Sequence, residues 1–232
     1  MRFLDLTLES PAENVSFDEE LLLQAERPFD PFSTKTSVAD FSDDVEDDGT
    51  VGEVVRVWES PAPMVVVGRS TNIEIEVNEP LCRERGIPVV RRASGGATIV
   101  AGPGCLMYAV VLSYQQRPAL RAIDFAHAFV LGALVESLDR HLPGVAREGI
   151  SDLTWNGRKF SGNALRCKRE HVLYHGTLLY DFPLSLVSEL LRTPPRQPEY
   201  RAGRSHRDFI GNIPLTATTL RTAVQAAFLG RP

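Results

Sequence analysis

The 232-residue chain has little of what marks several large classes of protein. Its only cysteines, Cys82, Cys105 and Cys167, are widely spaced, form no CxxC pair and no disulfide framework, and are typical of a reducing cytoplasm. No apolar run approaches the roughly 20 residues of a membrane-spanning helix, and the N-terminus lacks the basic and apolar regions of a secretory signal. Internal repeats are also missing. These absences predict a cytoplasmic protein that does not contact the membrane.

An excess of positive charge is missing as well. The net charge is −5, which argues against a broadly basic nucleic-acid-binding domain. Six acidic residues fall within 40–48, and without them the rest of the chain carries +1. Residues 28–50, which contain this run, are too poor in apolar side chains to offset the entropy lost on ordering. They are interpreted as a mobile acidic insert, with a functional acidic segment as the alternative.

The chain does contain enough apolar residues, 43%, to build a sizeable core. Helical spacing predicts helices over 13–27 with Asn14 as N-cap, 77–86, 119–142, 184–192 and 216–229. Alternating or continuous apolar runs predict strands over 54–58, 64–68, 88–92, 105–113 and 172–180, with a hairpin turn at Asn156-Gly157. Because the elements show no strict βαβ rhythm, the predicted fold class is α+β, a mixed or antiparallel sheet flanked by helices. A single domain over 1–232 is expected.

A glycine-rich loop follows the predicted strand at 88–92. It reads Arg91-Arg92-Ala93-Ser94-Gly95-Gly96-Ala97 and is reinforced by Gly102 and Gly104. Glycine lets backbone N–H groups approach a ligand, and the rigid fork of arginine suits phosphate or carboxylate. The loop therefore favours an anionic, phosphorylated small molecule, although an ordinary turn with two surface arginines fits the composition alone. It is neither a Walker A loop nor a Rossmann fingerprint.

Two further segments carry candidate residues. Lys159 lies beside the predicted hairpin and is followed by Ser161-Gly162-Asn163-Ala164, which would bring its ammonium to the same pocket to stabilise an oxyanion. A solvated turn lysine is the plainer alternative. His175 and Gly176 interrupt an apolar strand. The histidine is interpreted as buried and bonded to backbone, whereas a glycine in a strand marks the close approach of ligand or backbone.

The cysteines and histidines are the remaining candidate reactive groups. Cys167 is the best candidate nucleophile because Arg166, Lys168 and Arg169 surround it with positive charge. Cys105 is interpreted as a small core residue and Cys82 as a residue on a helix face. The five histidines show no metal-ligand spacing, so no dedicated protein metal site is predicted.

Three motifs, in order, resemble those of the lipoate–protein ligase A family, part of the biotin/lipoate A/B ligase group. The family patterns RRxSGGG, GRKxSGxA and HGTLL correspond to residues 91–97, 157–164 and 175–179. Residues 14–21 are similar to the first helix of the family, and 67–72 resemble its GRxxN turn. The resemblance covers nearly the whole chain apart from the acidic segment. It implies the catalytic-domain fold of that group.

The resemblance implies two half-reactions. The carboxylate of lipoate attacks the α-phosphate of ATP, with Mg²⁺ held by the phosphates, to give lipoyl-adenylate and pyrophosphate. A lysine of a carrier protein then attacks the acyl carbon and releases AMP. Lys159 would bridge the lipoyl carbonyl and the α-phosphate, and the strand at 65–67 would help to form an apolar slot for the lipoyl tail. The residues implied to bind substrate or adenylate are Arg69, Asn72, Arg91, Arg92, Ser94, Gly95, Gly96, Ala97, Asp152, Ser161, Gly162, Asn163, Ala164, His175 and Gly176.

The implied partners are lipoyl domains of 2-oxoacid dehydrogenases and the glycine-cleavage H protein. The C-terminal accessory domain of many ligases is expected to be absent here. Some relatives need a separate small protein to do its work, and the resemblance implies such an accessory protein as a candidate partner of this chain. The chain also departs from the family pattern at Ala97, where the loop has its third glycine.

Three alternatives stay open. An octanoyltransferase would form an acyl-enzyme at Cys167 without ATP, and residues 102–108 resemble that subgroup. Ser151-Asp152, at the place where one octanoyltransferase subtype has its cysteine, favours the ligase instead. A non-catalytic relative that holds a lipoyl group is favoured by Ala97 and Ala101. Biotin is an alternative acyl group.

Overall fold

The structure is a computed structural model that describes residues 1–27, 52–193 and 197–229. The predicted insert at 28–50 lies outside the described residues. Within the described ranges, two sheets and seven α-helices form the α+β fold that the sequence predicts. The strands are β1 (Arg2–Asp5), β2 (Val54–Glu59), β3 (Met64–Val67), β4 (Val89–Arg91), β5 (Ile99–Ala101), β6 (Cys105–Ser113), β7 (Ala146–Glu148), β8 (Asp152–Trp155), β9 (Arg158–Cys167) and β10 (His171–Leu179).

The larger sheet has seven strands in the order β1-β2-β6-β10-β9-β8-β7. Only its β1–β2 pair is parallel, and the other pairs are antiparallel. Every residue of β6 and β10 is buried, because continuous apolar runs allow both faces of these central strands to be covered. The hairpin turn between β8 and β9 has positive φ at Asn156 and Gly157, as the Asn-Gly signal predicts.

The smaller sheet has three strands in the order β4-β3-β5, with β3 parallel to β4 and antiparallel to β5. The glycine-rich loop joins its outer strands, so residues 92–98 lie at the end of this sheet. The smaller sheet therefore presents the loop to the larger sheet.

The helices are α1 (Pro11–Ala25), α2 (Ile73–Glu76), α3 (Glu79–Glu84), α4 (Ile123–Asp139), α5 (Ser185–Leu190), α6 (His206–Phe209) and α7 (Ala217–Leu229), with 3₁₀ turns at Pro118–Arg121 and Glu199–Arg201. Helix α1 packs on β6 and β10, and α7 packs on β2 and β6 and against α4. In the part of the chain that the structure describes, no helix is long and apolar enough to cross a membrane.

The prediction of Asn14 as a helix cap was wrong. The N-cap of α1 is Ser10, whose hydroxyl accepts a hydrogen bond from the Glu13 amide, and a proline follows it at a position that favours helix starts. Asn14 is buried instead and donates to the carbonyl of Leu8 at 2.8 Å. A Ser-Pro pair upstream of the periodic residues was the stronger start signal.

Two predicted helices were too long. The segment predicted as a helix over 77–86 contains α3 only from Glu79 to Glu84, and it ends as predicted at Gly86, with φ +65°. The segment 119–142 divides into a 3₁₀ turn and α4, because the chain extends at Ala122 before the helix begins. Cys105 is a buried core residue and Cys82 lies on a helix, α3, as interpreted; Cys82 is buried as well, while Cys167 is exposed.

Candidate active site

A cavity of about 730 Å³ lies where α1, the larger sheet and the glycine-rich loop meet. One part of its lining is apolar and comes from α1 and from strands of both sheets. Those apolar side chains are Val15, Trp58, Val66, Ile99 and Met107. Of the strand 65–67 that was predicted to form an apolar slot, Val66 reaches the lining.

Ten of the predicted site residues line this cavity. They come from the loop, the β8–β9 hairpin and β10, three segments that are far apart in sequence. They are Arg92, Gly96, Ala97, Asp152, Lys159, Gly162, Asn163, Ala164, His175 and Gly176. The structure therefore brings the three motifs to one place, as the resemblance implies.

Arg92 holds the loop in shape. Its buried guanidinium donates to Ser94 Oγ at 3.0 Å and to the carbonyls of Val66, Gly95 and Ala97 at 3.2, 2.7 and 2.9 Å. Burial, partly offset by a nearby carboxylate, lowers the pKa of Arg92 to about 10, so it is charged at neutral pH. The side chain thus supplies both a cation and the scaffold of the loop.

The loop glycines and Ala97 differ in what they require. Gly96 has φ +93°, and a Cβ there would lie 3.0 Å from Nη2 of Arg92, so only glycine fits without strain. A Cβ at Gly95 would meet nothing within 4 Å. Ala97 is not among the described residues with positive φ, so alanine is unstrained where the family has a third glycine.

Arg91 is placed differently from its neighbour. Its Nη1 donates to the carbonyls of Gly68, Arg69 and Thr71 at 2.6, 3.0 and 3.2 Å, and it lines neither cavity described here. The turn is also held from the loop, because the amide of Arg69 donates to the carbonyl of Ser94 at 2.8 Å. Arg91 therefore supports the turn at 68–71, and its predicted contact with the ligand stays a prediction.

Lys159 faces the cavity from the second residue of β9. Its Nζ forms an ion pair with Oδ1 of Asp152 at 2.7 Å, and the lysine side chain is 26% exposed. The side chain folds back over Gly162, where a Cβ would lie 2.9 Å from Nζ. Glycine at 162 therefore makes room for the lysine, and the surface-turn alternative for Lys159 was wrong.

Asn163 acts as a tie between strands. Its Oδ1 accepts from the Tyr108 hydroxyl at 2.5 Å, and its Nδ2 donates to the Ser151 carbonyl at 2.8 Å and to Ser161 Oγ at 3.0 Å. A Cβ at Gly176 would lie 1.7 Å from Oδ1, so the close approach at this glycine is made by Asn163. The missing side chain at Gly176 thus leaves room for Asn163, which in turn holds Ser151, the residue before Asp152.

His175 is buried and joins the two sheets. Its Nε2 is 2.5 Å from Ser94 Oγ, and its Nδ1 is 3.8 Å from Oδ2 of Asp18. Asp18 forms a buried ion pair with Arg56 at 2.8 Å. The interpretation of a histidine side chain bonded to backbone was wrong, because its described partner is the loop serine.

The other predicted residues lie outside the larger cavity's lining. Asn72 is exposed and caps α2 by accepting from the Glu74 amide at 3.1 Å, and the side chain of Arg69 is exposed. Ser94 is buried between Arg92 and His175, the carbonyl of Gly95 accepts from Arg92, and Ser161 lines a smaller cavity. Cys167 is exposed and lines neither cavity, which removes the geometric basis for an acyl-enzyme at that thiol.

A smaller cavity of about 140 Å³ adjoins the larger one. Both are lined by residues 97–99 and by Lys159, Gly162 and Thr177, so the lysine lies at their junction. The smaller cavity extends towards Arg201, His206 and Phe209. The site therefore has two compartments with a cation between them.

Asp18 and Tyr200 are among the polar lining residues that sequence reasoning missed. Asp18 falls in the first helix of the resemblance, which was the available signal, but its pairing with Arg56 needed the fold. Tyr200 donates its hydroxyl to Oδ2 of Asp152 at 2.7 Å, and no motif pointed to it. Among the residues that the structure describes, no group of three His, Cys, Asp or Glu side chains is placed to hold a metal ion.

A family model described as "Lipoyl protein ligase A/B catalytic domain" matches residues 10–228. The chain belongs to this family. A curated member, the lipoate-protein ligase LplJ of Bacillus subtilis (strain 168), is 30% identical over 155 residues, which cover 65% of this chain and 44% of that protein. The chain thus spans less than half the length of this relative.

Solved structures of lipoate ligases share the fold. A crystal structure of lipoate-protein ligase A bound with ATP superposes with a TM-score of 0.75 at 21% identity, covering 99% of this chain and 84% of that one. A bi-partite lipoate protein ligase from Thermoplasma acidophilum, studied with its E2 lipoyl domain, gives 0.71 at 19% identity and covers 99% and 82% of the two chains. The likeness extends over the whole family domain of this chain.

Proposed function

We propose that this chain activates lipoate with ATP to lipoyl-adenylate and transfers the lipoyl group to a lysine of a carrier protein. The observation that carries the proposal is the position of Lys159 at the junction of the two cavities. An acyl-adenylate has an apolar tail and a nucleotide joined at one phosphate and one carbonyl. A cation at the junction would lie beside the atoms that react.

The lining of the larger cavity suits the acyl tail. Val15, Trp58, Val66 and Met107 offer apolar and aromatic surface, and Lys159 is among the polar residues of the same lining. Ligand sites are commonly apolar with a few placed polar groups that fix orientation. The lipoyl chain would lie along the apolar part with its carboxylate towards the lysine.

The residues present fit the charge that the first step develops. The lipoate oxygen attacks the α-phosphorus, the bond to the β-phosphate oxygen breaks, and pyrophosphate leaves. Lys159 would donate to the phosphate and acyl oxygens, while Arg92 holds the amides of the loop in place at the opposite wall. In the second step the carrier amine attacks the acyl carbon, and AMP leaves with the bonding pair.

Mg²⁺ fits this site as an ion that the ATP phosphates bring with them. Both carboxylate oxygens of Asp152 already have partners, so the other oxygen ligands would be waters, of which Mg²⁺ usually keeps several. The ion would neutralise charge on the phosphates.

The proposed acceptors are lipoyl domains of 2-oxoacid dehydrogenases and the glycine-cleavage H protein. The relative from Thermoplasma acidophilum supports a lipoyl-domain partner, and its bi-partite nature supports a separate accessory protein for this chain. Ile150 lines the larger cavity and is exposed, so an acceptor lysine would enter beside it.

Incubation with ATP, Mg²⁺ and lipoate tests the proposal directly. We expect lipoate-dependent release of pyrophosphate and formation of lipoyl-AMP, followed by a lipoyl-lysine mass shift when a lipoyl domain is added. Octanoate and biotin in place of lipoate measure which acyl group the cavity prefers. Absence of adenylate with every acid, also after addition of an accessory protein, would contradict the proposal.

A further inference from the structure

The carboxylate of Asp152 lies between two side chains at the edge of the larger cavity. Its Oδ1 pairs with the ammonium of Lys159 at 2.7 Å, and its Oδ2 accepts a hydrogen bond from the Tyr200 hydroxyl at 2.7 Å. The Asp152 side chain is only 11% exposed, so water competes little for either oxygen. Each oxygen therefore has its own partner, and the lysine is held by Oδ1.

Tyr200 reaches this carboxylate from a fixed position. Its carbonyl accepts from Nη2 of Arg204 at 2.8 Å, and Nη1 of the same arginine donates to the carbonyl of Gly157 in the β8–β9 turn at 2.8 Å. Its ring packs on Phe209 with centroids 5.2 Å apart, and it lies against Gly149, where a Cβ would be 3.2 Å from the ring. Arg204 thus links the backbone of Tyr200 to the same hairpin that carries Lys159.

The hydroxyl is a donor in this contact. Burial, together with the charge of Asp152 and the hydrogen bond to it, raises the pKa of Tyr200 far above its ordinary value. The phenol therefore keeps its proton at neutral pH.

We propose that Tyr200 is a positioning residue for the adenylation step, acting on Lys159 through Asp152. This inference rests on the proposed function. By occupying Oδ2, the hydroxyl fixes the plane of the carboxylate so that Oδ1 directs the ammonium to the junction of the two cavities. Without the hydroxyl the carboxylate can rotate and hold the ammonium through either oxygen, so the ammonium is less often at the reacting phosphate.

The variant Tyr200→Phe removes the hydroxyl and keeps the ring against Phe209 and Gly149. We expect kcat for lipoate-dependent pyrophosphate release to fall about tenfold, the scale of one hydrogen bond to a charged group. The KM for lipoate should change by less than about twofold, because the apolar part of the cavity is untouched. A purely structural role would reduce the folded fraction and leave kcat per folded molecule unchanged.

Tyr180→Phe is the matched control. The hydroxyl of Tyr180 also donates to a carboxylate, Oε2 of Glu59, at 2.8 Å, and this tyrosine lines neither cavity. We expect a comparable shift of the unfolding midpoint in the two variants and a wild-type kcat only in Tyr180→Phe.

The test is steady-state pyrophosphate release by the wild-type chain and both variants. A loss of kcat confined to Tyr200→Phe, with KM retained, supports the inference. Wild-type kcat in Tyr200→Phe, or equal losses in both variants, overturns it while leaving the proposed function intact. If the wild-type chain itself releases no pyrophosphate, the proposed function fails and this inference fails with it.

Discussion

The two walls of the larger cavity are built in different ways. On the glycine-rich wall, Arg92 donates to groups at 94, 95 and 97, so most of the shape is set within six residues of sequence. On the hairpin wall, the Asp152 carboxylate is bonded by a tyrosine 48 residues away. The first wall is a local device, and the second depends on the tertiary fold. The difference teaches that a cation can be placed at one site by short-range backbone contacts or by long-range side-chain contacts.

The largest expected effect is the loss of activity when Lys159, on the hairpin wall, is removed. Lys159→Ala deletes the cation of the hairpin wall and leaves the glycine-rich wall unchanged. We expect adenylation to fall by about a hundredfold or more, on the scale of about 3 kcal/mol of transition-state stabilisation, with the fold retained. Pyrophosphate release and circular dichroism measure the two effects. Lys168→Ala, on the β9–β10 turn, is the control, and unchanged turnover of Lys159→Ala would remove the lysine from its role.

Gly176→Ala should destabilise the hairpin wall by displacing Asn163, the side chain that supports it. The new methyl would meet Asn163 Oδ1 and displace the side chain that holds the segment before β8. We expect the free energy of unfolding to fall by about 3 kcal/mol, measured by urea titration. Gly132→Ala in α4, where a Cβ would meet nothing within 4 Å, should be neutral or slightly stabilising. Equal behaviour of the two variants would contradict the tie described for Asn163.

Arg92→Lys and Arg91→Lys compare neighbours within the glycine-rich wall. A lysine at 92 cannot reproduce four hydrogen bonds in a planar fork, and the buried carbonyls lose their donors. We expect a loss of about 2 kcal/mol of unfolding free energy together with weaker adenylation. Arg91→Lys should cost less than about 1 kcal/mol because Arg91 is exposed. A larger loss of unfolding free energy for Arg91→Lys than for Arg92→Lys in urea titrations would show that the loop is held by Arg91 instead.

The smallest expected effect is the difference in unfolding free energy between alanine variants of the two loop glycines, Gly95 and Gly96. Gly96→Ala places a methyl at φ +93° against Arg92 and should lower the unfolding free energy by about 1 kcal/mol. Gly95→Ala meets open space and should change it by less than about 0.5 kcal/mol. Thermal unfolding of both variants measures the difference. A larger loss at 95 than at 96 would contradict the loop conformation.

Sequence reasoning predicted the local features best. The strand that becomes β6, the Asn-Gly turn and the close approach at Gly176 all follow from short patterns, because backbone preference and apolar periodicity act over a few residues. The orientation of side chains was predicted poorly. Arg91 and Arg92 are identical in type and adjacent, yet Arg91, the last residue of β4, is exposed, whereas Arg92, the first residue after it, lines the cavity. Tyr200 carries no local signal, since its partner at 152 is set by how the 3₁₀ turn packs on the hairpin.

A crystal structure with bound lipoyl-AMP, or a non-reactive analogue, tests the central claim most directly. We expect the lipoyl chain along Val66 and Met107, with the Nζ of Lys159 about 3 Å from both the acyl carbonyl and a phosphate oxygen. An adenylate bound elsewhere on the chain, with Lys159 still paired to Asp152 alone, would contradict it.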